Sequence, residues 1–245
     1  MLLDAPTLAA VAALTVVAAM VSGMGGFGTG VILAAALAPL IGIRAVIPVL
    51  AVAGIIINAG RFWFYRDSFD RRTLVLVLAA SLPFLVLGTW IYSVLDARAL
   101  GTVLGLVVIA SIPLRRLLMK RSITIGPAGL VVGSSVFGLA TGVATGTGVI
   151  MVSLLLGAGL AGPAVLATDA LVSIVLDICK AALFQRFDLL DAESFFTGVV
   201  IGVASIPGSA VAAWLVRRVG ARLHVLFMEG LIFVGGASMV WNAWR

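Results

Sequence analysis

Charge is what this sequence has least of: 11% of its 245 residues are Asp, Glu, Lys or Arg, against about 25% in an ordinary soluble domain. So few charges cannot clothe a water-facing globule, and the 62% apolar content asks for hydrocarbon as solvent. There is a single cysteine, Cys179, which excludes an internal disulfide and a cysteine-cluster metal centre. There is a single histidine, His224, which reads as interfacial. No nucleophile, base and orienting group are gathered at a recognisable spacing, so an enzyme has little to stand on and neither cofactor nor metal is expected. No stretch is polar enough to form a solvated basic module, so the net charge of +6 calls for a membrane and not for nucleic acid. The N-terminus "MLLDAPTLAAVAALTVVAAM" has Asp4 where a signal peptide would be positive, and it is read as a retained first span.

Residues 22–32 read "SGMGGFGTGVI", in which Gly23, Gly25 and Gly28 have the G-x-G-x-x-G spacing of a dinucleotide-binding turn. That spacing has meaning only between a strand and a helix, with an acidic residue about 20 positions on. Here it interrupts a run from Ala5 to Gly42 with no charge at all, and the next ionisable residue is Arg44. A nucleotide site is therefore set aside.

Charge-poor runs fall at about 5–42, 45–60, 73–95, 99–114, 125–161, 163–179, 194–216 and 223–243. A membrane-crossing helix needs about 20 apolar residues, and the first and fifth runs are too long for one. Both are broken near the middle, at "GMGGFGTG" and at "GVATGTG", which predicts helical pieces of about 15 to 18 residues, short for full spans.

The breaks share "GTGVI", at 28–32 and 146–150. Downstream, "AVIPVLAVAGIIINAGR" at 45–61 aligns with "AVLATDALVSIVLDICK" at 164–180, setting Asn58 opposite Asp177 and Arg61 opposite Lys180. "SLPFLVLGTWIYSVLDAR" at 81–98 then matches "SIPGSAVAAWLVRRVGAR" at 205–222. The chain reads as two membrane repeats, 1–122 and 123–245, forming one transmembrane domain. Eleven of the sixteen basic residues lie in three loops, 61–72, 115–121 and 217–222. The positive-inside rule puts these in the cytoplasm. The 180–193 loop, with Lys180 and Arg186 against Asp188, Asp191 and Glu193, then lies outside, opposite to its partner at 61–72. The repeats are thus inverted, and each crosses an odd number of times, either by five spans or by three plus a re-entrant hairpin. The predicted fold is an all-α integral membrane protein of two inverted repeats with glycine-broken helices and roughly 8–10 transmembrane segments.

Inverted repeats with helices broken at matching places point to a transporter with its substrate near the midplane. A half-helix starting at such a break offers free N–H groups and a positive dipole end to an anion. Gly28, Thr29 and Gly30 and their partners Gly146, Thr147 and Gly148 are therefore candidate substrate contacts, with the threonines as hydroxyl caps or ligands. The competing reading is close helix packing by small residues. On that contrast Gly148→Val is expected to harm binding more than Gly138→Val, since Gly138 falls within the preceding helical piece. Asn58 and Arg61, and Asp177 and Lys180, share helix faces at i, i+3 and are further substrate candidates. The competing reading has both cations snorkelling to the headgroups. Asp169 lies a third of the way along its run, where an unpaired charge costs at least about 2.5 kcal/mol. Its repeat counterpart is Leu50, so symmetry does not require it, and it is the candidate for proton coupling. Glu229 is a weaker case of the same kind. Trp214, Trp241 and Trp244 read as interface-belt residues.

The glycine-rich broken hairpin ("GMGGFGTGVI", "GVATGTGVI"), the A-V-x-x-x segment after it, the basic-aromatic loop ("RFWFYRD", "LFQRFD") and the Ser-x-Pro span, all duplicated, resemble the sulfite exporter TauE/SafE family over nearly the whole chain. The resemblance implies a multi-pass inner-membrane protein that moves sulfite or small organosulfur anions. Two positions depart from the family pattern. Its early Thr-Ser pair is Thr168 and Asp169 in one half and Val49 and Leu50 in the other, and the proline common after the glycines is replaced by Ala35 and Ser153. The reading is a secondary transporter of small oxyanions working by alternating access, with the bilayer and a small anion as partners and a homodimer left open. A passive anion channel and a membrane-embedded enzyme are the alternatives.

Overall fold

The computed structural model describes the backbone of residues 5–22, 28–120, 124–219 and 221–244, and side chains outside 21–28, 115, 118–120, 209–228 and 231. Asp4, Gly23, Gly25 and Arg121, and the side chains of Arg115, Lys120, Trp214, Arg217, Arg218, Arg222 and His224, lie outside the described residues.

Within them the chain forms ten α-helices and no strand: α1 (Ala5–Ser22), α2 (Gly28–Ile41), α3 (Ile43–Tyr65), α4 (Arg71–Val94), α5 (Ala97–Lys120), α6 (Pro127–Val143), α7 (Gly148–Gly157), α8 (Pro163–Arg186), α9 (Ala192–Val219) and α10 (Ala221–Ala243). Stretches 43–68, 71–94 and 97–114 are long and apolar enough to cross a membrane, and the fold is that of an all-α membrane protein. The equally long α8 carries Asp169, Asp177 and Lys180, and these have to be satisfied inside the bundle.

Helix ends follow local chemistry. Asp70 caps α4 by accepting the Thr73 N–H at 2.8 Å, and Asp191 caps α9 by accepting the Ser194 N–H at 2.8 Å. Gly162, at φ 54°, turns the chain into α8, where Pro163 takes the first helical position, a place that needs no N–H. Tight crossings use missing side chains. A Cβ on Gly138 or Gly142 would strike the backbone of Ser81 or Leu85 where α6 crosses α4, and Gly105 and Gly236 do the same between α5 and α10, as expected where helices associate without a hydrophobic drive between them.

Two expectations change. The second broken run yields α6 of 17 residues, within the expected 15 to 18, and α7 of only 10; α7, roughly 15 Å long at 1.5 Å per residue, covers half the hydrocarbon thickness of about 30 Å. The basic loops are largely helix ends. Arg61 lies inside α3, Arg116 inside α5 and Lys180 inside α8, because ion pairs with neighbouring groups let the helices run past their charges. Arg116 pairs with Glu229 of α10, so the intramembrane glutamate is matched by a cation assigned from sequence to a loop.

The backbone hydrogen bond from Ser194 holds the Asp191 carboxyl below the usual carboxylate range. A carboxylate lowered in the fold stabilises it above the unfolded value of about 3.9, and that contribution is lost as pH falls through the folded value. Asp191→Ala is therefore expected to cost about 1 kcal/mol at pH 7 and progressively less as the pH falls below the usual carboxylate range. Thermal unfolding in detergent at neutral and at low pH checks this; an equal loss at low pH would defeat it.

Candidate functional site

The antiparallel α3 and α8 cross at the middle of the bundle, and the second break comes to meet them. Gly146 sits there at φ 87°, a left-handed conformation that residues with a Cβ rarely adopt, and it ends the gap between α6 and α7. The first turn of α2 touches the second break. A Cβ on Gly30 would lie 2.7 Å from Thr145 Oγ1, and one on Gly146 would lie 2.6 Å from Val31 Cγ2.

Between these elements is a cavity of about 130 Å³, lined by Thr29, Gly30, Asn58, Arg61, Gly146, Thr147, Gly148, Asp169, Asp177 and Lys180 among others. Ten of the candidates read from the sequence thus line one space; Glu229 pairs with Arg116 instead, and Gly28, the first residue of α2, has no described surroundings. The N-termini of α2 and α7 both open onto it, bringing two positive dipole ends together. Gly54 and Ser173, at matched positions of the repeats, also line it and were not singled out from sequence. Gly54 is there because a Cβ would run into the Asp177 carboxylate. A lone helical glycine carries no mark of the partner that requires it.

The charges are paired. Arg61 Nη2 is 2.8 Å from Asp169 Oδ2, and Arg61 Nη1 donates to Asn58 Oδ1 at 3.0 Å. Lys180 Nζ is 3.0 Å from Asp177 Oδ1. Lys180 is 7% exposed, so it points into the bundle instead of snorkelling outward. Asp169 Oδ1 is buried without a hydrogen-bond partner. Two cations and two carboxylates therefore balance, and an anion that enters must displace a carboxylate or arrive with a proton. Thr147 does not cap α7 with its side chain; its hydroxyl is 2.7 Å from that of Thr141, so the hydroxyl-cap expectation fails there because α6 supplies a closer partner.

Gly138 is the wrong contrast for Gly148. A Cβ at Gly138 collides with the Ser81 carbonyl on α4, so Gly138→Val harms the fold through a helix crossing and not through the site. The better contrast is Gly60 of α3, with nothing within 4 Å of its added Cβ. Gly148→Val is expected to weaken anion binding at least about tenfold, the factor given by losing about 1.4 kcal/mol, while Gly60→Ala leaves it unchanged. Titration calorimetry on purified protein decides, and equal affinities would return the glycines to a packing role.

The family model described as sulfite exporter TauE/SafE matches residues 11–239. No curated protein and no solved structure matches. With its match running from α1 to α10 and enclosing the whole cavity, the chain belongs to the TauE/SafE sulfite exporter family, a family of multi-pass membrane transporters for sulfite and related sulfur anions.

Proposed function

We propose that the protein carries sulfite, or a sulfur oxyanion of similar size, across the cytoplasmic membrane by alternating access at the α3–α8 cavity. The observation that carries this reading is the convergence of two helix N-termini with Arg61 and Lys180 on one cavity. Helix N-termini and guanidinium groups are complementary to oxyanions. A volume of about 130 Å³ is well above the ~10–15 Å³ that one water needs, so the space admits a small polar guest. The balanced charges favour one proton entering with each anion, with Asp169 as its seat.

The inverted-repeat reading, with halves 1–122 and 123–245, has two supports. Helix pairing survives exchange of α1–α5 for α6–α10: α1 packs on α9 as α6 does on α4, α3 on α9 as α8 on α4, while α3–α8 and α5–α10 map onto themselves. The counterparts α3 and α8 also run antiparallel, as an axis in the membrane plane requires. With α7 too short to span, the hairpins α1–α2 and α6–α7 fit re-entrant pairs better than full crossings, and positive-inside counting places the 61–72 end in the cytoplasm.

Proteoliposomes loaded with labelled sulfite, a short sulfonate and sulfate, with and without a pH gradient, test the proposal. Saturable sulfite flux with counterflow is expected. Single-channel currents would make it a channel, and consumption of substrate in detergent would make it an enzyme.

A further inference from the structure

The two ends of the α3–α8 contact along the cavity are built differently. Where the 61–72 stretch lies, α8 is tied to the first half twice. Asp169 pairs with Arg61, and the Thr168 hydroxyl accepts the Asp70 N–H at 3.0 Å. Both ties come from one dipeptide, Thr168-Asp169, whose repeat counterpart is Val49-Leu50. Neither Val49 nor Leu50 can form such a tie. The α3–α8 register shows what faces them. Arg61 meets Asp169 and Gly54 meets Asp177, and continuing the same antiparallel register brings Lys180 level with Leu50. Lys180, the counterpart of Arg61, is instead paired with Asp177 on its own helix. Beyond it that end is filled by apolar groups: Ile47 and Phe184 are buried, and the Phe184 ring meets the Tyr92 ring edge-on at 5.1 Å between centroids.

We infer that the cavity has an ionic gate on one side only: Thr168 and Asp169 latch the 61–72 end, while the opposite end is packed by apolar groups around Leu50, with no ionic latch between the halves among the described residues. This rests on the transport reading for its purpose, although the asymmetry is a property of the fold itself. An ion pair between two moving halves has to be broken and its charges resolvated when that end opens. An apolar closure costs only exposed area and is indifferent to the charge state of the cavity.

Cysteine accessibility tests this without any substrate. In a Cys179→Ser background, Ser173→Cys places a thiol in the cavity between Asp169 and Asp177, and a membrane-impermeant cationic thiol reagent is applied to either face of sealed vesicles. Ser68→Cys identifies the face at the 61–72 end and Ser194→Cys the other. Asp169→Leu, which installs the counterpart residue, is expected to speed labelling of Ser173→Cys from the Ser68 face at least about tenfold, a modest shift for a two-state gate, and to leave the other face unchanged. Asp169→Asn should give a smaller change of the same sidedness. Leu50→Asp keeps every native ion pair and offers Lys180 a partner across the halves, so it should slow labelling from the Ser194 face alone. Equal acceleration from both faces in Asp169→Leu, no acceleration from either, or an effect of Leu50→Asp on the Ser68 face would overturn the inference. A chain that passes these tests yet moves no sulfite would defeat the transport proposal and leave the one-sided latch standing.

Discussion

Asp169→Asn is expected to abolish pH-gradient-driven accumulation of anion while leaving anion exchange intact. The carboxylate is 4% exposed, with one oxygen on Arg61 and the other without a partner, so it has both a reason to stay charged and a free oxygen to take a proton. The groups around it are Arg61, Asn58, Lys180 and Asp177, and their charges together with its own sum to zero. An anion that binds Arg61 leaves the cavity negative unless a proton arrives as well. If one proton travels with each anion, one pH unit drives about tenfold accumulation, equivalent to about 1.36 kcal/mol. Asparagine keeps the shape and the hydrogen bond but cannot take up that proton. Accumulation should fall from tenfold per pH unit to none, with counterflow retained. A mutant that still concentrates anion as the wild type does would move coupling elsewhere, with Asp177 the next carboxylate to replace.

Arg61→Ala is expected to do the greatest damage to both folding and transport. Removing one member of a fully buried ion pair costs about 3–5 kcal/mol because the remaining charge has no partner; with the Arg61 side chain 19% exposed and that of Asp169 5%, a loss toward the lower end is expected, and Asp169 is left without its cation. Transport should also vanish, since the cation at the meeting point of the halves is gone. The double variant Arg61→Leu with Asp169→Leu separates these losses: replacing both charges by apolar groups is often neutral or stabilising, so thermal unfolding should return toward wild type while sulfite flux stays at background. Recovery of flux in the double variant would show that Arg61 serves the fold alone.

Solvent, helical class and the break between α6 and α7 were legible in the amino-acid sequence, because composition and interrupted apolar runs are local properties that hydrocarbon enforces wherever they occur; the first break lies outside the described residues. The sequence also marked Asn58, Arg61, Asp177 and Lys180, since polar groups at matched places on apolar helices stand out without any partner being known. The positions of helix ends were less legible. Arg61 and Lys180 share helix faces with Asn58 and Asp177 in the sequence but count there as the first residues of the 61–72 and 180–193 loops, because a cation in an apolar run ends it on paper, whereas in the fold a carboxylate across the cavity or one turn away lets the helix continue. Only the tertiary structure decided who meets whom. Asp169 has Leu50 as its counterpart, so the repeat held no hint of Arg61, and Gly54 and Gly138 showed nothing of Asp177 or Ser81. Partner choice depends on the register between helices distant in sequence. A slip of one residue moves a side chain by about 1.5 Å along the axis and about 100° around it, a difference that composition and periodicity within one helix do not encode.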